Sequence, residues 1–119
     1  MHVYLSDFND LASALNHKAA LGAMLSICQD IANESGGALD VTPNLWQLTL
    51  PGGDPVTVDI EASGKWELPE DHTGLDMARA LTVDWLASLA VSLGGTLRYH
   101  DTEWELVLPD PPEAEAEEK

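Results

Sequence analysis

A chain of 119 residues with 21 Asp/Glu against 5 Lys/Arg carries a net charge of −16, and its 45% apolar content is enough for one packed domain. That balance excludes direct binding to nucleic acid or to an anionic membrane, both of which need Lys/Arg to neutralise phosphate, and it favours a protein partner with a basic surface. The single cysteine, Cys28, excludes an intrachain disulfide and suits a reducing cytoplasm, and no stretch approaches the roughly 18 apolar residues of a membrane span.

In chain order, Met1-His2-Val3-Tyr4-Leu5-Ser6-Asp7 has no basic region of the signal-peptide kind, and Val3–Leu5 reads as a short edge strand. Phe8, Leu11, Ala12 and Leu15 recur at helical spacing, with Ser6 or Asp7 as a cap. A second helical stripe follows in Leu21, Met24, Leu25, Cys28, Ile31 and Ala32. The two stripes lose phase around Asn16-His17-Lys18, which implies either one helix with a wide face or a bend there. The second stripe ends at Gly36, where glycine accepts a left-handed conformation. Strand patterns follow: Trp46, Leu48 and Leu50 alternate with polar residues, as do Val56, Val58, Ile60 and Ala62 with Thr57, Asp59 and Glu61. Residues 66–68 read as a further short edge strand. Thr73 and Asp76 resemble a capping box, and Leu75, Ala78, Leu81, Trp85, Leu89 and Leu93 form the apolar face of the next helix, ended by Gly94. Trp104, Leu106 and Leu108 then alternate on a last strand.

The halves share a pattern. Gly36-Gly37-Ala38-Leu39-Asp40-Val41 with Trp46-Gln47-Leu48-Thr49-Leu50-Pro51 recurs as Gly94-Gly95-Thr96-Leu97-Arg98-Tyr99 with Trp104-Glu105-Leu106-Val107-Leu108-Pro109, every position displaced by 58 residues. Residues 21–51 and 79–109 therefore read as two copies of a helix–hairpin unit. The expected fold is α+β: an antiparallel sheet of about five strands with two main helices on one face, over residues 1–109. Residues 110–119, with five acids, two prolines and no large apolar side chain, read as a disordered acidic tail.

Acidic composition, this element order and the Leu45-Trp46-Gln47-Leu48-Thr49-Leu50 and Gly94-Gly95-Thr96-Leu97-Arg98-Tyr99 segments make residues 20–109 similar to the class I type III secretion chaperones. The resemblance implies a cytoplasmic binding protein without enzymatic activity. The final helix of that family has no counterpart here, so its dimer and its partner-wrapping mode do not carry over, and a homodimer is left open.

No motif points to catalysis, a cofactor or a metal. His72 with Asp71 and Asp76, and His100 with Asp101 and Glu103, lack zinc or calcium spacing and fit polar turns better. His2 and His17 stand alone. Cys28 lies on an apolar helical face, with only Asp30 and Glu34 charged nearby, and fits core packing. Trp46, Trp85 and Trp104 belong to apolar faces. Trp66, which has no repeat partner, is the expected exposed aromatic anchor for a partner. With the tryptophans inward, Asp40, Asp59, Glu61, Glu103 and Glu105 should line an open, acidic sheet face, so the expected partner-binding residues are Asp59, Glu61, Trp66, Glu103 and Glu105. The function these features suggest is a non-catalytic acidic protein-binding module, acting as chaperone, adaptor or inhibitor. Two alternatives are a phage-type anti-defence mimic of nucleic-acid charge, and a small enzyme without a recognisable motif.

Overall fold

A computed structural model describes residues 2–5, 8–68, 72–100 and 103–109, with backbone only at 62, 63, 72, 73 and 100. The elements are β1 (His2–Tyr4), α1 (Phe8–Ala12), α2 (His17–Ser35), β2 (Ala38–Val41), β3 (Trp46–Thr49), β4 (Val56–Val58), a 3-10 helix (Ile60–Trp66), α3 (His72–Ser92), β5 (Thr96–His100) and β6 (Glu103–Val107).

The phase slip near Asn16 is a break between two helices. Asn16 is extended (φ −146°, ψ 164°) and its side-chain oxygen accepts from the Ala19 backbone N–H at 2.9 Å, capping α2. The Glu67 carboxylate accepts from the His17 backbone N–H at 2.7 Å, so an anion also sits at the positive end of the helix dipole. The far end of α2 closes on Gly36 at φ 75°, and Gly37 N–H donates to Ala32 O at 2.9 Å. The end of α3 repeats this arrangement: Gly94 has φ 78°, and Gly95 N–H donates to Ala90 O at 2.7 Å.

Each helix then leads into an antiparallel hairpin. In β2–β3, Ala38 faces Thr49 and Val41 faces Trp46; in β5–β6, Thr96 faces Val107 and Tyr99 faces Trp104. A third strand is added to each on the other side of β3 and β6. β4 joins β3 with Gln47 opposite Thr57, and β1 joins β6 with Tyr4 opposite Glu105. The strands therefore form two separate three-stranded sheets, β2-β3-β4 and β5-β6-β1. This corrects the expected single sheet of about five strands. The pairing that decides it is β1 with β6, which joins the two ends of the chain.

The core is built from one face of α2 (Ala20, Met24, Ile27, Cys28, Ile31) and one of α3 (Ala78, Trp85, Leu86, Leu89, Leu93), against Leu48, Val58, Leu106 and Val3 on the strands. Thr82 is fully buried in this face and donates its hydroxyl to Ala78 O at 2.8 Å, so its polar atom is satisfied. Leu75, placed on the apolar face by periodicity, is 43% exposed, whereas its neighbours Gly74 and Ala78 are buried.

Local expectations change at two further places. The alternation through residues 56–62 stops being a strand after Val58: the Asp59 side chain accepts from Glu61 N–H at 3.1 Å and turns the chain into the 3-10 helix. That helix replaces the edge strand expected at 66–68. α3 begins at His72, so Thr73 lies inside its first turn rather than capping it. The cap at Ser6 or Asp7, the side chains of the His72–Asp71 and His100–Asp101 pairs, and the acidic tail 110–119 lie outside the described residues.

Candidate functional site

The five residues expected at an interface go to three different places. Asp59 and Glu61 are exposed, but at the start of the 3-10 helix, not on a strand face. Glu103 is exposed at the first position of β6. Glu105 is 3% exposed, so it is not part of an open acidic face. The reason is its place on the middle strand of a sheet: Tyr4 of β1 and Arg98 of β5 flank it, and its carboxylate is in contact with the His2 ring. His2, which stands alone in the sequence, thus finds an ionisable partner 103 residues away. Trp66 is fully buried and is not an exposed anchor. The 3-10 helix turns its last residue inward, which no strand alternation could foresee.

The outer sheet faces are correspondingly poor in acids. On β2-β3-β4 the strand register puts Asp40 beside Gln47 and Thr57; on β5-β6-β1 it puts Glu105 between Arg98 and Tyr4, and Glu103 opposite His100. The negative charge is spread instead over helices and loops: Asp10, Glu34, Asp54, Glu67, Asp76 and Asp84 are all exposed.

Two concave places adjoin α3. The first is a cleft of about 130 Å³ between β4, the 3-10 helix and α3. Its apolar lining comes from Val58, Leu81 and Leu89 as well as Trp66 and Trp85, and its charged groups are Asp59, Asp84 and Lys65. Asp59 and Trp66 are thus brought together, though by burial of the tryptophan rather than by its exposure. The second is a shallow hollow beside α1, where Phe8 stacks on Trp104 (ring centroids 5.2 Å apart) and Tyr99 tilts against Trp104 at 4.8 Å. The Arg79 guanidinium lies 5.5 Å from the centre of the Phe8 ring, and Glu103 closes one side. Trp46 is 4% exposed, whereas Trp104, at the equivalent repeat position, is half-buried because its strand opens onto this hollow.

Trp66 and Trp104 share one further property: the indole Nε1 of each is shielded from water and has no hydrogen-bond partner among the described residues. A buried N–H without an acceptor costs about 1–3 kcal/mol.

Asp84 and Arg79 were missed by sequence reasoning. They occupy exposed positions of α3, where a charged residue is the ordinary choice, and only the packing of the 3-10 helix and α1 against α3 gives them neighbours. Cys28 is a buried thiol whose pKa is pushed up to about 12 by desolvation, the opposite of an activated nucleophile. Among the described residues no group of three His, Cys, Asp or Glu is placed to hold a metal ion, and no helix is long and apolar enough to cross a membrane. Comparison with protein-family models, curated proteins and solved structures finds no match for this chain.

Proposed function

We propose that the chain is a non-catalytic, acidic protein-binding module of the cytoplasm, a chaperone, adaptor or inhibitor whose partner presents a basic surface. One observation carries this reading. Among the described residues, ten acids are exposed against four cations, Lys18, Lys65, Arg79 and Arg98. A field of that sign attracts a basic partner over about 8 Å at physiological ionic strength and raises its on-rate. The acids are distributed around the body, not aligned on one sheet, which favours general attraction of a basic protein surface over imitation of a regular phosphate ladder.

The fold behind that surface reads as two copies of one helix–hairpin unit. Supporting this, the β2–β3 and β5–β6 registers correspond position by position at the 58-residue displacement, and so do the left-handed glycines that precede them. Gly37 and Gly95 are equally crowded, since a Cβ at each would lie 2.2 and 2.3 Å from the carbonyl oxygens of Thr49 and Val107.

The test is a salt titration with a partner captured from the native host. Binding should weaken by at least tenfold across a fourfold rise in ionic strength. Reversing Asp54, Asp59, Glu61 and Asp84 to lysine should slow association with the fold intact. A captured partner with an acidic surface, or binding indifferent to salt, would overturn the reading.

A further inference from the structure

We infer that copies of this chain join edge to edge, β2 of one copy adding antiparallel to β5 of another, with Asp40 opposite Arg98 of the second copy. This contact is separate from the attraction of a basic partner and does not depend on it.

β2 and β5 are each the outer strand of a three-stranded sheet, at equivalent places in the two hairpins. The ladders fix which backbone groups their open sides present. Thr42 N–H donates to Leu45 O, and Leu5 N–H donates to Trp104 O. Residues of an antiparallel pair turn their N–H and C=O groups alternately toward and away from the neighbouring strand. The first bond therefore turns Asp40 toward β3 and leaves the backbone groups of Leu39 and Val41 pointing outward. The second commits the Trp104 backbone to β1, so that of Glu105 turns to Arg98, and Leu97 and Tyr99 point outward on β5. These outward groups have no hydrogen-bond partner among the described residues. An open edge of this kind templates the addition of another strand.

The side chains decide which strand is added. Val41 is 47% and Tyr99 51% exposed, although they share their sheet faces with Trp46 and Trp104. Three edge pairings match outward groups to outward groups with like faces together: β2 with β2, β5 with β5, and β2 with β5. Centred, the first sets Asp40 against Asp40 and the second Arg98 against Arg98, and like charges directly opposite destabilise a strand pair. The third sets Asp40 against Arg98, Val41 against Leu97 and Leu39 against Tyr99, so charge and apolar surface are matched together. Asp40 and Arg98 are both exposed, and neither has an ion-pair partner among the described residues.

The contact is head-to-tail. It leaves β5 of the first copy and β2 of the second open, so association continues past a pair unless the copies close into a ring. The net charge of −16 on each copy opposes close approach, which confines the contact to concentrated protein and to salt high enough to screen that charge.

The experiment is sedimentation velocity of the full chain over a concentration series at physiological and at raised salt. The sedimentation coefficient should rise with concentration, and more so at raised salt. Asp40→Arg and Arg98→Asp change the net charge in opposite directions, yet each alone should weaken self-association by about tenfold with the melting temperature unchanged. The double variant, which exchanges the two charges and keeps the net charge, should recover it, and so should a mixture of the two single variants. A wild-type chain that stays monomeric throughout the series overturns the proposal. So do single variants that follow the net charge, one associating more and the other less, and a double variant that fails to recover association.

Discussion

At the residue scale, buried groups separate stability from function. Among the described residues Trp66 is the largest fully buried side chain, and it connects the 3-10 helix to the core. Trp66→Ala should cost about 3–5 kcal/mol in urea unfolding, the range for removing a large aromatic from a core. A surface anchor would show almost no stability loss. Cys28 makes a prediction with a definite sign. Burial raises its thiol from 9.0 to about 12, so the folded chain holds a proton that the unfolded chain releases. The resulting stability is complete below pH 9.0 and is lost as pH rises toward about 12. Over that window Cys28→Ala should lose less stability than the wild type, compared by urea midpoints. Below it, the native thiol should react with a disulfide reagent only as fast as the protein opens.

At the scale of elements, the two Gly-Gly pairs have divided roles. Gly36 and Gly94 take the left-handed turn that ends each helix, whereas Gly37 and Gly95 let the strand pass close under a carbonyl oxygen. The second glycine of each pair should be the less replaceable. Gly95→Ala puts a Cβ against backbone that cannot swing away, and should separate α3 from the β5–β6 hairpin. Gly94→Ala should cost only about 1–2 kcal/mol of backbone strain. Thermal unfolding of the two variants compares them directly. The start of α2 is capped by Asn16 and by the Glu67 carboxylate, so Asn16→Ala should lower stability by about 1 kcal/mol with helix content almost unchanged by circular dichroism.

At the scale of the whole molecule, the first and last strands hold each other. Without residues 1–5, β6 would lose Val3 from its apolar side and become an open edge. Deleting those residues should lower the melting temperature and promote association, seen as concentration-dependent growth in light scattering. A shorter chain that stays monomeric and equally stable would mean that β1 contributes little to the sheet. His2→Ala, which leaves the strand but removes the ring in contact with Glu105, should weaken the same junction to a smaller degree.

Much of the fold was legible because it is locally encoded. Helical spacing located α2 and α3, the Gly-Gly pairs marked their ends, and alternation located β3 and β6, where Leu48 and Leu106 are buried as expected. Composition, too, is enough to assign a sign to the molecule's field. What only the tertiary structure decided was partner choice. A strand's pattern states which face is buried but not which strand lies beside it, so the pairing of β1 with β6, and hence two sheets in place of one, was not readable. The same gap hid the site. Glu105 looks like a surface acid until its neighbours on both sides are known, and Trp66 looks like an exposed aromatic until the chain turns at Asp59. Burial depends on what the rest of the chain places against a residue, and for these two side chains the decisive contacts come from segments far away in sequence.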